Sequence, residues 1–175
     1  SPHSHQTDLL DKAALARIID ETQPAVVVHL AAISFVGHGN AEDFYRVNTI
    51  GTRNLLETLA NTRTPPECVL LASSANIYGN ALTANGLIDE NAAPNPANDY
   101  AVSKLAMEYM ASLWMDRLPI VLARPFNYTG AGQSTRFLIP KIVEHFKRGE
   151  KTIELGNIDV ERDFSDVRFV TEAYI

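Results

Sequence analysis

One cysteine in 175 residues, Cys68, leaves no partner for an internal disulfide. Set in an apolar run, it reads as an inert buried thiol of a reducing compartment. There is no basic tract, no aromatics are interleaved with basic residues, and the formal net charge is −6. Neither nucleic acid nor a membrane surface is therefore an expected partner. The longest apolar runs, residues 25–28 and 30–35, are far too short to span a bilayer. No signal peptide is visible, so cytoplasm is the expected compartment. The five histidines (His3, His5, His29, His38 and His145) show no metal-ligand spacing, and no metal is expected. A glycine-rich turn is missing too: Gly37-His-Gly39 follows a strand-like run, but no third glycine succeeds it. The chain opens Ser-Pro-His-Ser-His without an initiator Met. We expect a piece of a longer protein in which His3 and His5 belong to a disordered or artificial start.

What is present is an ordinary globular composition, 46% hydrophobic and 21% charged, in a length that suits one domain with a sizeable core. Helix and strand signals alternate. Asp8 is the expected N-cap of a helix whose apolar stripe is Leu9, Leu10, Ala13, Leu15, Ile18 and Ile19. Pro24 ends it and opens residues 25–30, a continuous apolar run of the kind that fills a parallel sheet buried on both faces. Helical periodicity returns over 41–61, a second strand is expected at 67–72, and a helix at 96–117 follows a loop rich in Asn, Pro and Ala. A third strand at 119–123, a helix at 137–147 closed by Gly149, and a short strand at 152–155 complete the pattern. Strands separated by helices imply an α/β fold with a doubly wound parallel sheet.

The most informative stretch is Tyr100-Ala-Val-Ser-Lys104. On a helix these two side chains share a face, with Cβ atoms roughly 5–6 Å apart. A free phenol titrates near about 10 and is a poor proton carrier at neutral pH. An ammonium held beside it favours the phenolate and moves it toward the range useful for acid–base catalysis. A solvated surface pair would show the same spacing, so the surroundings decide. In open α/β sheets ligands bind at the carboxyl ends of the strands, and here those ends are small or polar. They read His29-Leu30-Ala31-Ala32-Ile-Ser34, Ala72-Ser73-Ser74-Ala-Asn76 and Arg124-Pro125-Phe126-Asn127. Taken singly, each small residue fits tight strand–helix packing equally well. Ser74 is sharper, because a hydroxyl just past a strand end could hydrogen-bond a substrate carbonyl alongside the phenol.

Five motifs in order carry a resemblance: His29-Leu-Ala-Ala32, Val47-Asn48-Thr-Ile-Gly51-Thr52-x-Asn54-Leu-Leu-Glu57, Ser73-Ser74-x-x-x-Tyr78-Gly79, Tyr100-x-x-x-Lys104 and Arg124-Pro-Phe-Asn127. Together they resemble the extended short-chain dehydrogenase/reductase family over nearly the whole chain. The resemblance implies a nicotinamide cofactor, NAD or NADP with NADPH slightly favoured, and a nucleotide-sugar substrate. It implies Tyr100 as acid/base, Lys104 on the nicotinamide ribose and Ser74 on the reacting oxygen. Leu30, Ala31, Ala32, Asn48, Ala72, Ser73, Pro125 and Phe126 would join Tyr100 and Lys104 around the cofactor. It also implies a homodimer built on the helices at 41–61 and 96–117. The family's opening strand, glycine-rich turn and helix have no counterpart here. The expected architecture is therefore a Rossmann-like sheet lacking its first βαβ unit at 1–130, interleaved with the beginning of a substrate lobe at 131–175. These 175 residues alone are expected to bind cofactor poorly.

The stretch from Arg124 through Gln133, with Leu155-Gly-Asn-Ile-Asp159-x-x-Arg162-Asp-Phe164-x-Asp166, looks like the branch acting on GDP-mannose derivatives, namely 4,6-dehydratases and 4-keto reductases. That likeness implies Asn127 on the sugar nucleotide, Arg162 on the diphosphate, and Ser34, Phe35 and Val36 at the sugar pocket, with Lys141 a weaker phosphate-side candidate. An arginine–phosphate pair is charge-assisted and physically apt, although Arg162 sits between Glu161 and Asp163 and fits a surface ion pair as well. In the dehydratases a glutamate stands two positions after the catalytic serine or threonine; here Asn76 stands there, and an amide cannot carry the proton. The expected activity is reduction of GDP-4-keto-6-deoxy-mannose to GDP-rhamnose. A 4,6-dehydratase using another acid, a 4-epimerase, and a non-catalytic nucleotide-binding module are the alternatives.

Overall fold

A computed structural model describes residues 4–35, 39–79 and 86–175. His3, Val36, Gly37, His38 and positions 80–85 lie outside the described residues. The chain divides into two compact units, Ser1–Arg124 and Pro125–Ile175.

In the first unit, α1 (Lys12–Thr22) is capped by Asp11, whose side chain accepts from the Ala14 N–H at 3.0 Å. Asp8, expected as the cap, instead folds a turn before the helix, accepting from the Leu10 N–H at 2.9 Å. Left-handed Gln23 closes α1 ahead of Pro24. The strand β1 (Val26–His29) pairs in parallel with β2 (Cys68–Ala72), and β2 with β3 (Ile120–Ala123), in the order β1-β2-β3. Parallel neighbours need crossovers. The first is a continuous helical path, α2 (Ala41–Phe44), a wide π-helical segment (Tyr45–Gly51) and α3 (Thr52–Asn61). The second carries a 3₁₀ turn (Ala75–Tyr78) and α4 (Asp99–Ser112). The expected helix at 96–117 is shorter at both ends. Asn98 caps it by accepting from the Ala101 N–H at 2.9 Å, and beyond Ser112 the chain tightens into turns such as Trp114 N–H to Ala111 O.

The core gathers Ile19 of α1, Leu55, Leu56 and Leu59 of α3, and Met107 and Ala111 of α4 on Val69 and Leu71 of β2, with Val27, Ile120 and Leu122 packed beside them. Strand alternation turns the intervening residues to the other face. There Val26, Val28 and Val121 are 57%, 44% and 50% exposed. The expectation of a first strand buried on both faces is therefore corrected: the helices of this unit contribute their core residues to one face, and only β2 is well covered. Cys68 is free and half-buried rather than fully enclosed.

The second unit pairs β4 (Asn127–Thr129) in parallel with β5 (Phe164–Asp166), with α6 (Val167–Ala173) against both strands and α5 (Leu138–Arg148) between them in sequence. Left-handed Gly149 closes α5 as expected. The strand expected at 152–155 does not form; that stretch is an irregular segment in which the Lys141 ammonium donates to the Glu154 carbonyl. Among the described residues no helix is long and apolar enough to cross a membrane.

Candidate active site

The site of the first unit is built around the carboxyl end of β2. Ser74, extended and buried, caps the 3₁₀ turn, its Oγ accepting from the Asn76 N–H at 3.2 Å. The turn ends at Gly79, whose φ of +53° is left-handed and whose Cβ, if present, would overlap the Asn95 carbonyl. Facing this turn is α4. Tyr100 and Lys104 are 7% and 6% exposed, so the pair is buried and not a solvated surface feature. Lys104 Nζ donates to the Ala72 carbonyl at 2.7 Å, which lashes the helix to the strand end two residues before Ser74. The Tyr100 ring meets Phe44 edge-on at 6.0 Å. Burial pulls the Lys104 ammonium down to about 8, against a smaller opposing pull from the Glu108 carboxylate. Near neutral pH the lysine thus remains charged with little to spare.

Asn48 is 1% exposed, in the π-helical segment. Its Oδ1 accepts from the Ile33 N–H at 2.9 Å, and its Nδ2 donates to the Ile33 carbonyl at 3.2 Å and to Ser103 Oγ at 3.0 Å. Ser103 Oγ donates onward to the Tyr100 carbonyl at 2.7 Å. One amide therefore fastens the chain after β1 to the helix that bears Tyr100. Beside it, His29 Nε2 lies 2.9 Å from Thr52 Oγ1, and Thr52 donates to the Asn48 carbonyl at 2.7 Å. Burial, reinforced by the charge of Lys104, lowers His29 to about 4, so its ring is neutral at physiological pH. His29, Thr52 and Ser103 lie within the motifs that carry the resemblance, but the resemblance gives them no role. Their signal was a polar residue at a position that the α/β pattern buries.

Leu30, Ala31 and Ser34 are exposed and Ala32 and Phe35 half-buried after β1. Ser73 is 4% exposed, and its Oγ is a buried polar atom without a hydrogen-bond partner among the described residues. Asn76 is exposed. Pro125, Phe126, Asn127 and Arg162 belong to the second unit. There the β4–β5 pairing brings Asn127 opposite Phe164, the Asn127 Nδ2 donates to the Asp163 carbonyl at 3.2 Å, and exposed Arg162 donates to the Glu161 carbonyl at 2.9 Å. Lys141 is held on the Glu154 carbonyl.

The family model described as GDP-mannose 4,6 dehydratase matches residues 1–175. A GDP-6-deoxy-D-talose 4-dehydrogenase of Aggregatibacter actinomycetemcomitans is 41% identical over 160 residues, covering 91% of this chain and 54% of that protein. A GDP-6-deoxy-D-mannose reductase of Pseudomonas aeruginosa is 36% identical over 183 residues, 99% of this chain and 60% of that protein. A solved structure from Burkholderia cenocepacia J2315 with a provisional epimerase assignment superposes with a TM-score of 0.89 at 57% identity, covering 97% of this chain and 54% of that one. Other similar solved structures are complexes with NADPH and with NAD. The chain spans little more than half the length of the relatives it matches.

Proposed function

This chain belongs to the GDP-mannose 4,6-dehydratase family, within the extended short-chain dehydrogenases/reductases, and from that premise we propose that it carries the catalytic set of a GDP-sugar oxidoreductase, one that reduces a GDP-4-keto-6-deoxyhexose of the mannose series with NAD(P)H. The observation that carries the reading is the buried Lys104 ammonium, one helical turn from Tyr100 and 2.7 Å from the carbonyl of Ala72. It joins the phenol-bearing helix to the strand end that leads into Ser74.

A nicotinamide cofactor, when bound, supplies hydride equivalents to a ketone. The residues present fit such a group: the unpartnered Ser73 hydroxyl and the Lys104 ammonium are donors suited to ribose or carboxamide oxygens. On the substrate side, the Ser74 hydroxyl donates to the sugar ketone oxygen and stabilises the charge that develops there. Tyr100 delivers the proton that makes the alcohol, and the Lys104 charge favours the phenolate left behind. The fixed amide of Asn48, through Ser103, holds the first turn of α4 while this happens. Asn127 and Arg162 are the candidates for the sugar and diphosphate.

Loss of water from C5 and C6 needs a carboxyl beside Ser74, and Asn76 supplies an amide. Of the nearest acids downstream, Asp89 caps a local turn, accepting from the Asn91 N–H at 2.9 Å, and no motif places either Asp89 or Glu90 beside Ser74. These facts favour reduction over dehydration. The test gives full-length protein GDP-4-keto-6-deoxy-mannose with NADPH and follows loss of reduced nicotinamide. Turnover is expected, with Tyr100→Phe lowering kcat by about a hundredfold to ten-thousandfold, the usual value of a positioned acid/base. Dehydration of GDP-mannose without added reductant would refute the reductase reading in favour of the lyase.

A further inference from the structure

Beyond the residues already given roles, the first unit contains an ion pair between a buried carboxylate and a half-buried guanidinium. Arg124, directly after β3, sends Nε to Glu108 Oε1 at 3.0 Å and Nη2 to Glu108 Oε2 at 2.7 Å. Its Nη1 donates to Tyr78 Oη at 2.7 Å and to the Glu90 carbonyl at 3.2 Å, and the guanidinium lies over the Tyr78 ring at 5.3 Å. Glu108 is 5% exposed and Tyr78 2%. Removing two charges from water is costly, and apolar residues of similar size would often serve the fold as well. A charged pair kept at this position therefore calls for a reason beyond packing.

The reason lies one turn back along α4. Tyr100, Lys104 and Glu108 follow one another at intervals of four, on one face of the helix. The titratable groups facing Lys104 are Tyr100 before it, Glu108 after it and His29 from β1, which is uncharged near neutrality; beyond Glu108 stands the Arg124 guanidinium, whose positive charge offsets part of the carboxylate's field. Glu108 is thus the negative charge available to a buried ammonium. We propose that Glu108, held rigidly by Arg124, is a positioning residue that keeps Lys104 protonated through the working pH range. The proposal rests on the catalytic reading of Tyr100 and Lys104 given above. Arg124 fixes the carboxylate in its bidentate fork, and the direction of the effect agrees, since the Glu108 charge opposes the downward pull of burial on Lys104.

The experiment titrates Lys104 directly in full-length protein, by NMR of side-chain-labelled lysine assigned with Lys104→Arg, alongside the pH dependence of kcat. Glu108→Gln should move the Lys104 midpoint down by about half a pH unit or more, roughly a threefold change in its protonation constant. The alkaline limb of kcat should move with it while KM changes little, and Glu108→Asp should recover part of both. Tyr78→Phe removes one hydroxyl from the cluster and leaves both charges; it should leave the midpoint in place. If Glu108→Gln does not fold, Glu108→Gln/Arg124→Met removes the pair together and should still lower the midpoint, by less than Glu108→Gln would, because the repulsion from Arg124 goes with it. An unchanged midpoint in a folded Glu108 variant, or an equal shift in Tyr78→Phe, overturns the proposal. The titration needs no sugar substrate, so failure of the wild type to reduce a 4-keto sugar refutes the functional reading while leaving this one still decided by NMR.

Discussion

His29 shows how far one residue can be driven by its surroundings. An imidazole that is 8% exposed, 2.9 Å from Thr52 and within the field of Lys104 gives up its proton near pH 4 rather than at its ordinary 6.5. Between those values the unfolded chain binds a proton that the folded chain does not, so stability rises with pH across the window. The contribution is present in full above about 6.5 and is lost as pH falls toward 4. A difference of 2.5 in pKa corresponds to about 3 kcal/mol. Urea unfolding of the full-length protein at pH 7 and at pH 4.5 should therefore lose about 2–3 kcal/mol more in wild type than in His29→Gln, which keeps a polar group for Thr52 but cannot titrate. Equal losses in the two proteins would mean that His29 is not the buried neutral group described.

Among the elements, the turn from Ser74 to Gly79 is the one on which the site turns. Ser74 caps it, Ile77 inside it is fully buried, and its last residue must be glycine, because the backbone is left-handed and the Asn95 carbonyl occupies the space of a Cβ. Gly79→Ala should cost about 2 kcal/mol or more, from strain and from displacing the Asn95 segment that bonds Ile77. Because Ser74 shares the turn, kcat should fall with stability; a variant of unchanged melting temperature and rate would contradict this. The same turn measures what could be read in advance. Tyr100 and Lys104 are legible from their helical spacing and Ser74 from its place just past a strand end, whereas Asn48 is legible only through the family resemblance. Strands β1 to β3 and the helices between them stood out because apolar runs and the 3.6-residue period are local signals. The expected and observed N-caps of α1 differ by three residues, since Asp8 and Asp11 are chemically alike and only the turn decides. Strands β4 and β5, three residues each, have no period to read and exist through their mutual pairing. The Glu108–Arg124–Tyr78 cluster joins positions up to 46 residues apart and leaves no local pattern.

At the scale of the molecule, the first unit is a one-sided sandwich. Its helices send their core residues to the face of Val27, Val69 and Leu71, while Val26, Val28 and Val121 stand 44% to 57% exposed on the other. Among the described residues, β1 and β3 each have one neighbour, so both edges of the three-stranded sheet are open as well. Aligned, exposed valines on a sheet with open edges favour association, and the net charge of −6 opposes it only weakly at physiological salt. A polypeptide of these 175 residues should bind an apolar fluorescent dye and sediment as species larger than a monomer as its concentration rises. Val28→Lys with Val121→Thr should reduce both without changing the helical circular dichroism, because neither side chain contributes to the packed face. Removing Ile50 and Tyr109, exposed on the helical side, should leave dye binding as it was. If instead the helix-side changes abolish dye binding and the valine changes do nothing, the bare sheet face is not the adhesive surface of this chain.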